Sequence, residues 1–337
     1  MPRLQTLEIL WYAFCPLKHK EPSQAILLKF KKFMQQKVLI TGGTGLIGKR
    51  LTEMLLKKGY QVAYLSRKKE NIPSVKVYEW NVEKAYIEEG ALDDTAFLIH
   101  LAGSGVAEGR WTDERKKTII SSRTETIELV AKKLKEKGIR PKAFISASGS
   151  SYYGEDTGDA EQTEESPAGN DFLSHVTVVW EKAADSVADI GVRTVKLRTG
   201  VVLSKDGGAV PKMAQPAKFG FGAPLGSGKQ WVSWIHLDDI CKMYIEAMEN
   251  DSWHGAYNAI TSQPATNEEL TSQICKALGK PQWLPNVPAF ALKLVFGKMS
   301  SVILGSSYLV NKRIFAETDF KYDFPDLEEA LRDIFKR

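Results

Sequence analysis

Residues 37–48 read KVLITGGTGLIG: a short apolar run, Val38–Ile40, opens into TGGTGLIG at 41–48, where four of eight residues are glycine. Leu46, Ile47, Leu51, Met54 and Leu55 then recur at helical spacing, and Gly59 supplies a stop. Glycines at a strand-to-helix turn meet three needs. One permits the tight turn, one lets a phosphate approach the backbone, and one lets the helix pack close to the strand. The freed amides and the helix dipole then favour a pyrophosphate. Gly42, Gly45 and Gly48 follow G-x-x-G-x-x-G. A glycine-rich turn alone is a weak signal. Framed by strand, helix and strand, Thr41, Gly42, Gly43, Thr44, Gly45, Leu46, Ile47 and Gly48 are expected to wrap a nucleotide.

Strand and helix patterns alternate outward from this turn. QVAYLS (61–66), VKVYEW (75–80), AFLIHLAG (96–103), KAFISAS (142–148) and VRTVKLR (192–198) read as strands. Helices are expected over about 112–137, with Ile120, Ile127, Val130 and Leu134 on one face and Gly138 as its end, and over about 171–189. Such a βαβ series means an α/β fold, a parallel sheet covered by helices on both faces. The main domain is expected over 34–200, with 230–250 returning to it. After Gly200 the pattern is mixed, and 201–337 is expected to form a smaller, substrate-binding lobe over the C-terminal edge of the sheet.

The end of the second strand selects the dinucleotide. An NAD site wants a carboxylate there, to accept from the ribose 2′-hydroxyl. This chain reads LSRKKE, with Ser66 and Arg67 at that point. An arginine fork suits a 2′-phosphate, so NADP(H) is the expected cofactor.

The totals exclude several classes. The composition is that of an ordinary globular protein. Cys15, Cys241 and Cys275 share no metal-ligand spacing and cannot all pair, which fits a reduced, cytoplasmic setting. Five scattered histidines form no HExxH, and no metal is expected. Of the net charge of +5, four units lie in residues 1–33, which hold six basic and two acidic side chains. The remainder is near neutral and gives no reason to expect nucleic acid. LEILWYAFCPL (7–17) is interrupted by Glu8 and too short to span a bilayer, and AFALKLVFGKMSSVILG (289–305) is broken by Lys293 and Lys298, so no membrane association is expected. Met34 sits just before QQKVLITGG, and residues 1–33 read as an extension outside the fold. An intact Met1 in the native protein, found by mass spectrometry, would overturn that reading.

TGGTGLIG and HLAG (100–103) resemble the extended branch of the short-chain dehydrogenase/reductase superfamily. Further motifs sharpen the likeness: RWTDERKKTIISSR (110–123), SYYGE (151–155), ESPAGNDFL (165–173), WEKAA (180–184), RTGVVLSKDGGA (198–209), PLGSGKQWVSWIHLDD (224–239) and FPDLEEAL (324–331). Together they resemble the NADP-binding "epimerase family" proteins of the YfcH type, similar to nucleotide-sugar epimerases and carrying their own C-terminal domain, here at about 284–332. The resemblance covers 34–337. It implies a Rossmann-type doubly wound sheet. It also implies that Ser66 and Arg67 meet the 2′-phosphate, that Leu101, Ala102 and Gly103 line the adenosine side, and that Val202 lies near the nicotinamide. Arg123 reads either as a cofactor contact or as a surface arginine.

Members of that superfamily that transfer hydride use Tyr-x-x-x-Lys and a serine. A lysine ammonium lowers the phenol's pKa from about 10, so that it can exchange a proton with substrate. Here the helix reads SHVTVVWEKAA (174–184). Thr177 stands where the tyrosine belongs and Glu181 where the lysine belongs, while Lys182 is turned about 100° away around the helix. The serine survives as Ser148. Tyr152 or Tyr153, and less readily Glu181, are the remaining candidates for proton transfer. His236, beside Asp238 and Asp239, reads as part of a satisfied network joining the lobes. LGSGKQ (225–230) lacks the first glycine and the final Ser/Thr of a Walker phosphate loop. Two readings remain at this point: an NADP(H)-dependent oxidoreductase or epimerase acting on a small carbonyl or nucleotide-sugar-like substrate, and a non-catalytic NADPH sensor. The sequence names neither the substrate nor an oligomeric state.

Overall fold

The first strand, β1 (Lys37–Thr41), is buried from Val38 onward and runs straight into the glycine turn and helix α1 (Leu46–Lys57). The computed structural model describes residues 36–336; the expectations about residues 1–33 and Met34 lie outside them. Gly59, at φ 89°, turns the chain into β2 (Gln61–Ser66), and β3 (Val75–Asn81) follows, edged by the short antiparallel β4 (Tyr86–Ile87). Next come β5 (Thr95–His100), α2 (Asp113–Lys137), β6 (Ala143–Gly149), α3 (Phe172–Ala188) and β7 (Arg193–Thr199). Helix α2 starts on the Thr112 hydroxyl, which accepts from the Arg115 amide, and stops at Gly138 with φ 65°. Helix α3 starts on a reciprocal Asp171–Ser174 capping box.

With Gly255–Ala259 as β11, the eight strands lie in the order β11-β7-β6-β5-β1-β2-β3-β4, parallel throughout except at β4. The period of two along each strand feeds two separate cores. Val38, Ile40, Ile99 and Val195 pack toward α1, while Leu39, Leu98, Phe144 and the α2 residues Ile127 and Val130 fill the other face. Each of these fully buried side chains contributes about 1.5–3 kcal/mol.

Beyond β7 the chain makes β8 (Val201–Leu203), α4 (Ala209–Lys218), β9 (Trp231–Val232) and β10 (Trp234–His236), with β10 pairing parallel to β8. Helix α5 (Leu237–Glu249) returns to the main core, where Ile240 and Tyr244 join Leu51 and Leu55 of α1. The return reaches further than periodicity suggests. Residues Gly255–Ala259 form β11, a seventh parallel strand paired with β7. GAYNA carries too little apolar pattern to read as a buried strand; its Asn258 is buried on polar partners.

The remaining elements are β12 (Ala265–Thr266), α6 (Asn267–Ala277), α7 (Ala289–Phe296), α8 (Ser301–Leu304), α9 (Lys312–Glu317) and α10 (Leu327–Lys336). A third core joins Leu203, Val210 and Trp234 to Leu270, Ile274, Leu331 and Ile334. The expected network at WIHLDD is present. His236 Nδ1 accepts from the Asp238 amide, and its ring lies 4.0 Å from that of Phe324. Asp238 holds Arg50 of α1, and Asp239 accepts from the amides of Asp323 and Phe324. Residues 289–305 break into α7, a 3-10 turn and α8, and among the described residues no helix is long and apolar enough to cross a membrane.

Candidate functional site

The glycine turn is a cradle of bare main chain. Gly42 has φ 69°, and a Cβ there would stand 2.7 Å from the Leu101 carbonyl. A Cβ on Gly48 would stand 2.6 Å from the Gly42 oxygen and the Gly43 backbone, so only glycine lets α1 sit this close to the turn. Gly43 is buried against the Tyr64 ring, whose hydroxyl lies 2.6 Å from that of Thr52. Thr44 and Gly45 are exposed, with Leu46 and Ile47 half-buried behind them. Gly45 caps α1 without any side-chain hydrogen bond, and the first turn carries no acidic residue. The α1 N-terminus thus presents amides with no side-chain acceptor and no like charge against an anion.

The neighbouring strand ends complete this side. Thr41 is buried, and its hydroxyl accepts from the Ala102 amide 3.2 Å away. Ser66 is half-buried at the end of β2, its hydroxyl accepting from the Lys68 amide, and Arg67 is exposed beside it. No carboxylate ends that strand.

Arg123 is not a surface arginine. It is 8% exposed, donates to the Ile119 carbonyl at 2.8 Å and lies 4.8 Å from the centre of the Trp180 ring. It also lines Gly103, where a Cβ would come within 3.1 Å of the guanidinium carbon. No carboxylate pairs with it among the described residues, and burial lowers its pKa to about 10, helped by Arg115. His100, next to Leu101, is fully buried. Desolvation, and secondarily Arg123, lower its pKa to about 3. Its Nε2 lies 3.1 Å from the Thr126 hydroxyl, which itself donates to backbone carbonyls, and its Nδ1 has no partner. A buried cation without an anion at the mouth of β5 is what an anionic ligand would complete.

On the far side, the place of the missing dyad is filled by a side-chain cluster. Ser148 on β6 donates to Glu181 Oε1 at 2.6 Å. Arg198 on β7 grips the same carboxylate with two bonds, Nε to Oε1 at 2.8 Å and Nη2 to Oε2 at 2.9 Å. Its Nη1 donates to the Tyr153 hydroxyl at 2.9 Å and to the Glu164 carbonyl at 3.2 Å. Tyr153 in turn donates to Asn258 Oδ1 on β11 at 2.6 Å. Ser148, Glu181, Arg198, Tyr153 and Asn258 are all buried. Arg198 keeps its proton: burial works against the charge, but Glu181 and Tyr153 outweigh burial and raise its pKa.

These contacts define the surroundings of the two tyrosine candidates. Burial, opposed by Arg198, pushes the Tyr153 phenol up to about 12, and both its donor and its acceptor sides are taken. Its hydroxyl is held inside the cluster from both sides. The Tyr152 ring covers the Arg198 guanidinium at 3.5 Å and packs on Tyr153. Glu181 is committed to Arg198 and Ser148. Thr177 spends its hydroxyl on the Leu173 carbonyl, and Lys182 is exposed. Val202 is half-buried in β8, paired with Ile235. In LGSGKQ, the Gln230 side chain closes the loop onto the Leu225 carbonyl.

Arg198 and Asn258 escape a reading of the sequence. The available signal is an arginine at the inner end of a buried strand, which needs a buried anion close by. Register places Arg198 directly beside Ser148.

The sequence profile of the NAD dependent epimerase/dehydratase family matches residues 38–259, and that of a domain of unknown function, DUF1731, matches 287–334. The chain belongs to this epimerase family. The human epimerase family protein SDR39U1 is 35% identical over 301 residues, covering 88% of this chain and 99% of the relative. YfhF of Bacillus subtilis is 33% identical over 299 residues, covering 88% and 97%. The crystal structure of human SDR39U1 (isoform 2) with NADPH superposes with a TM-score of 0.79 at 33% identity, covering 89% of this chain and 99% of that one. A nucleoside-diphosphate sugar epimerase from Corynebacterium glutamicum gives 0.72 at 28% identity, covering 93% and 63%. UDP-glucose 4-epimerase of Thermotoga maritima, at 19% identity and 0.71, shares the fold.

Proposed function

We propose that this epimerase-family chain binds NADP(H) at the C-terminal ends of β1, β2 and β5 and uses it in hydride chemistry on a small hydroxyl- or carbonyl-bearing substrate of the nucleotide-sugar type. The cradle that a Cβ on Gly42 or Gly48 would fill is the observation that carries the cofactor. Thr41–Gly48 would hold the pyrophosphate, Ser66 and Arg67 the 2′-phosphate, and Leu101, Ala102, Gly103 and Arg123 the adenosine side, with Val202 toward the nicotinamide. The NADPH in the human relative's crystal structure supports the choice of cofactor. When bound, the nicotinamide supplies or accepts the hydride; Ser148 would meet the reacting oxygen. The buried free thiols Cys241 and Cys275 fit a reduced, cytoplasmic setting.

The absent tyrosine–lysine dyad suggests a silent NADPH sensor instead. A hydroxyl hydrogen-bonded to a clamped carboxylate at the serine position favours chemistry. The test is to load the full chain with NADPH deuterated at the transferable C4 position, incubate it with a cell metabolite extract and follow the label by mass spectrometry. Label in a metabolite is expected and would identify the substrate. Tight NADPH binding with all label retained would support the sensor reading.

A further inference from the structure

We propose that Glu181 and Arg198 replace the missing dyad by making Ser148 a proton relay; this rests on the hydride-transfer reading above. The donor–acceptor accounting carries the argument. Arg198 is fixed at both ends of its fork, by Glu181 on one side and by Tyr153 and the Glu164 carbonyl on the other, with the Tyr152 ring over its face. Glu181 is therefore a carboxylate of fixed orientation. Its Oε1 takes the Ser148 proton at 2.6 Å, in the range of charge-assisted O–H···O⁻ bonds. Among the described residues nothing donates to Ser148 Oγ, so its lone pairs are left for a ligand O–H. A buried ion pair adds little stability over a hydrophobic pair of the same size, so stability alone does not account for one at this position.

With oxidised cofactor this arrangement accepts a secondary alcohol, and with reduced cofactor the corresponding ketone. As the substrate O–H bond breaks, its proton passes to Ser148 Oγ while the proton of Ser148 passes to Glu181 Oε1. The carbon gives up its hydride to the oxidised nicotinamide, and the C–O bond becomes C=O. In the reverse direction both protons return, which gives a ketone its proton. Arg198 keeps its own proton throughout and acts as a positioning residue, as does Glu181; Ser148 alone touches substrate.

The test has two parts. In the cofactor-free protein carrying ¹³C-labelled glutamate, infrared difference spectra between the unaltered chain and Glu181→Gln should isolate an ionised carboxylate band, and Ser148→Ala should shift that band. A carboxylic acid band, or no shift in Ser148→Ala, overturns the relay. In the deuterated-NADPH assay with metabolite extract, transfer by the unaltered protein should depend on solvent deuterium fraction along a curve, as two moving protons require. Glu181→Gln should lose at least about 100-fold of the transfer, and Ser148→Thr should retain most of it. A linear dependence, or full transfer by Glu181→Gln, sinks the relay and leaves the hydride reading standing. No label from the unaltered protein sinks both. Should Glu181→Gln fold poorly, the solvent dependence of the unaltered chain and the direct difference spectrum between it and Ser148→Ala decide the matter.

Discussion

At β1 and α1 the strand end presents main chain: bare glycines and a helix N-terminus with no side-chain cap. Some strands away, β6, β7 and β11, with α3 and the 3-10 turn after β6, present a knot of side chains, Ser148, Glu181, Arg198, Tyr153 and Asn258, bonded to one another at 2.6–2.9 Å. The first region tolerates change only where no side chain is needed. In the second, Glu181 and Arg198 depend on each other. The proposed binding and the proposed chemistry therefore fall to different walls, and variants can be chosen to strike one without the other.

The largest effect should come from cutting the knot. Arg198→Met leaves the buried Glu181 without its cation, and a loss of about 3–5 kcal/mol is expected in denaturant unfolding. Restoring balance with Glu181→Gln in the same chain should recover much of it. Gly48→Ala drives a methyl group to 2.6 Å from the Gly42 oxygen. It should weaken NADPH binding by about 100-fold, as small misplacements at a positioned site do, which a fluorescence titration would measure.

His100 sharpens the comparison through pH. Its folded pKa, about 3, lies below the ordinary 6.5 because of burial and then Arg123. The unfolded chain takes up the proton first, so this contribution to stability is complete above pH ~6.5 and is lost as pH falls toward 3. Unfolding between pH 7 and 5 should show a slope of up to about 1.4 kcal/mol per unit below the upper limit, and His100→Asn should flatten it. The smallest expected effect is at the exposed Arg67. Arg67→Asp should shift preference from NADPH toward NADH by about tenfold, roughly the worth of one charge-assisted contact. An unchanged preference would count against a 2′-phosphate there.

The contrast also explains what could be read in advance. Strands β1 to β3 and β5 to β7, helices α2 and α3, and the glycine turn all write their geometry locally, as alternation, caps and positive-φ glycines. The αL stop at Gly138 and the turn at Gly42 are legible because few other residues adopt that backbone. The knot is written in pairs far apart in the chain, with Glu181 and Arg198 on different elements and Asn258 on a strand that GAYNA scarcely announces. The absence of Tyr-x-x-x-Lys was visible; what stands in its place needed the register of β6 against β7.

The most direct measurement sets NADPH affinity and deuterium transfer side by side for the unaltered chain and Ser148→Ala. That change leaves the Glu181–Arg198 pair and the glycine cradle intact. Equal affinity with transfer lost is the expected result, and it would show that holding the cofactor and using it reside in different walls of the site. Transfer at the unaltered rate, or affinity lost together with it, would contradict that division.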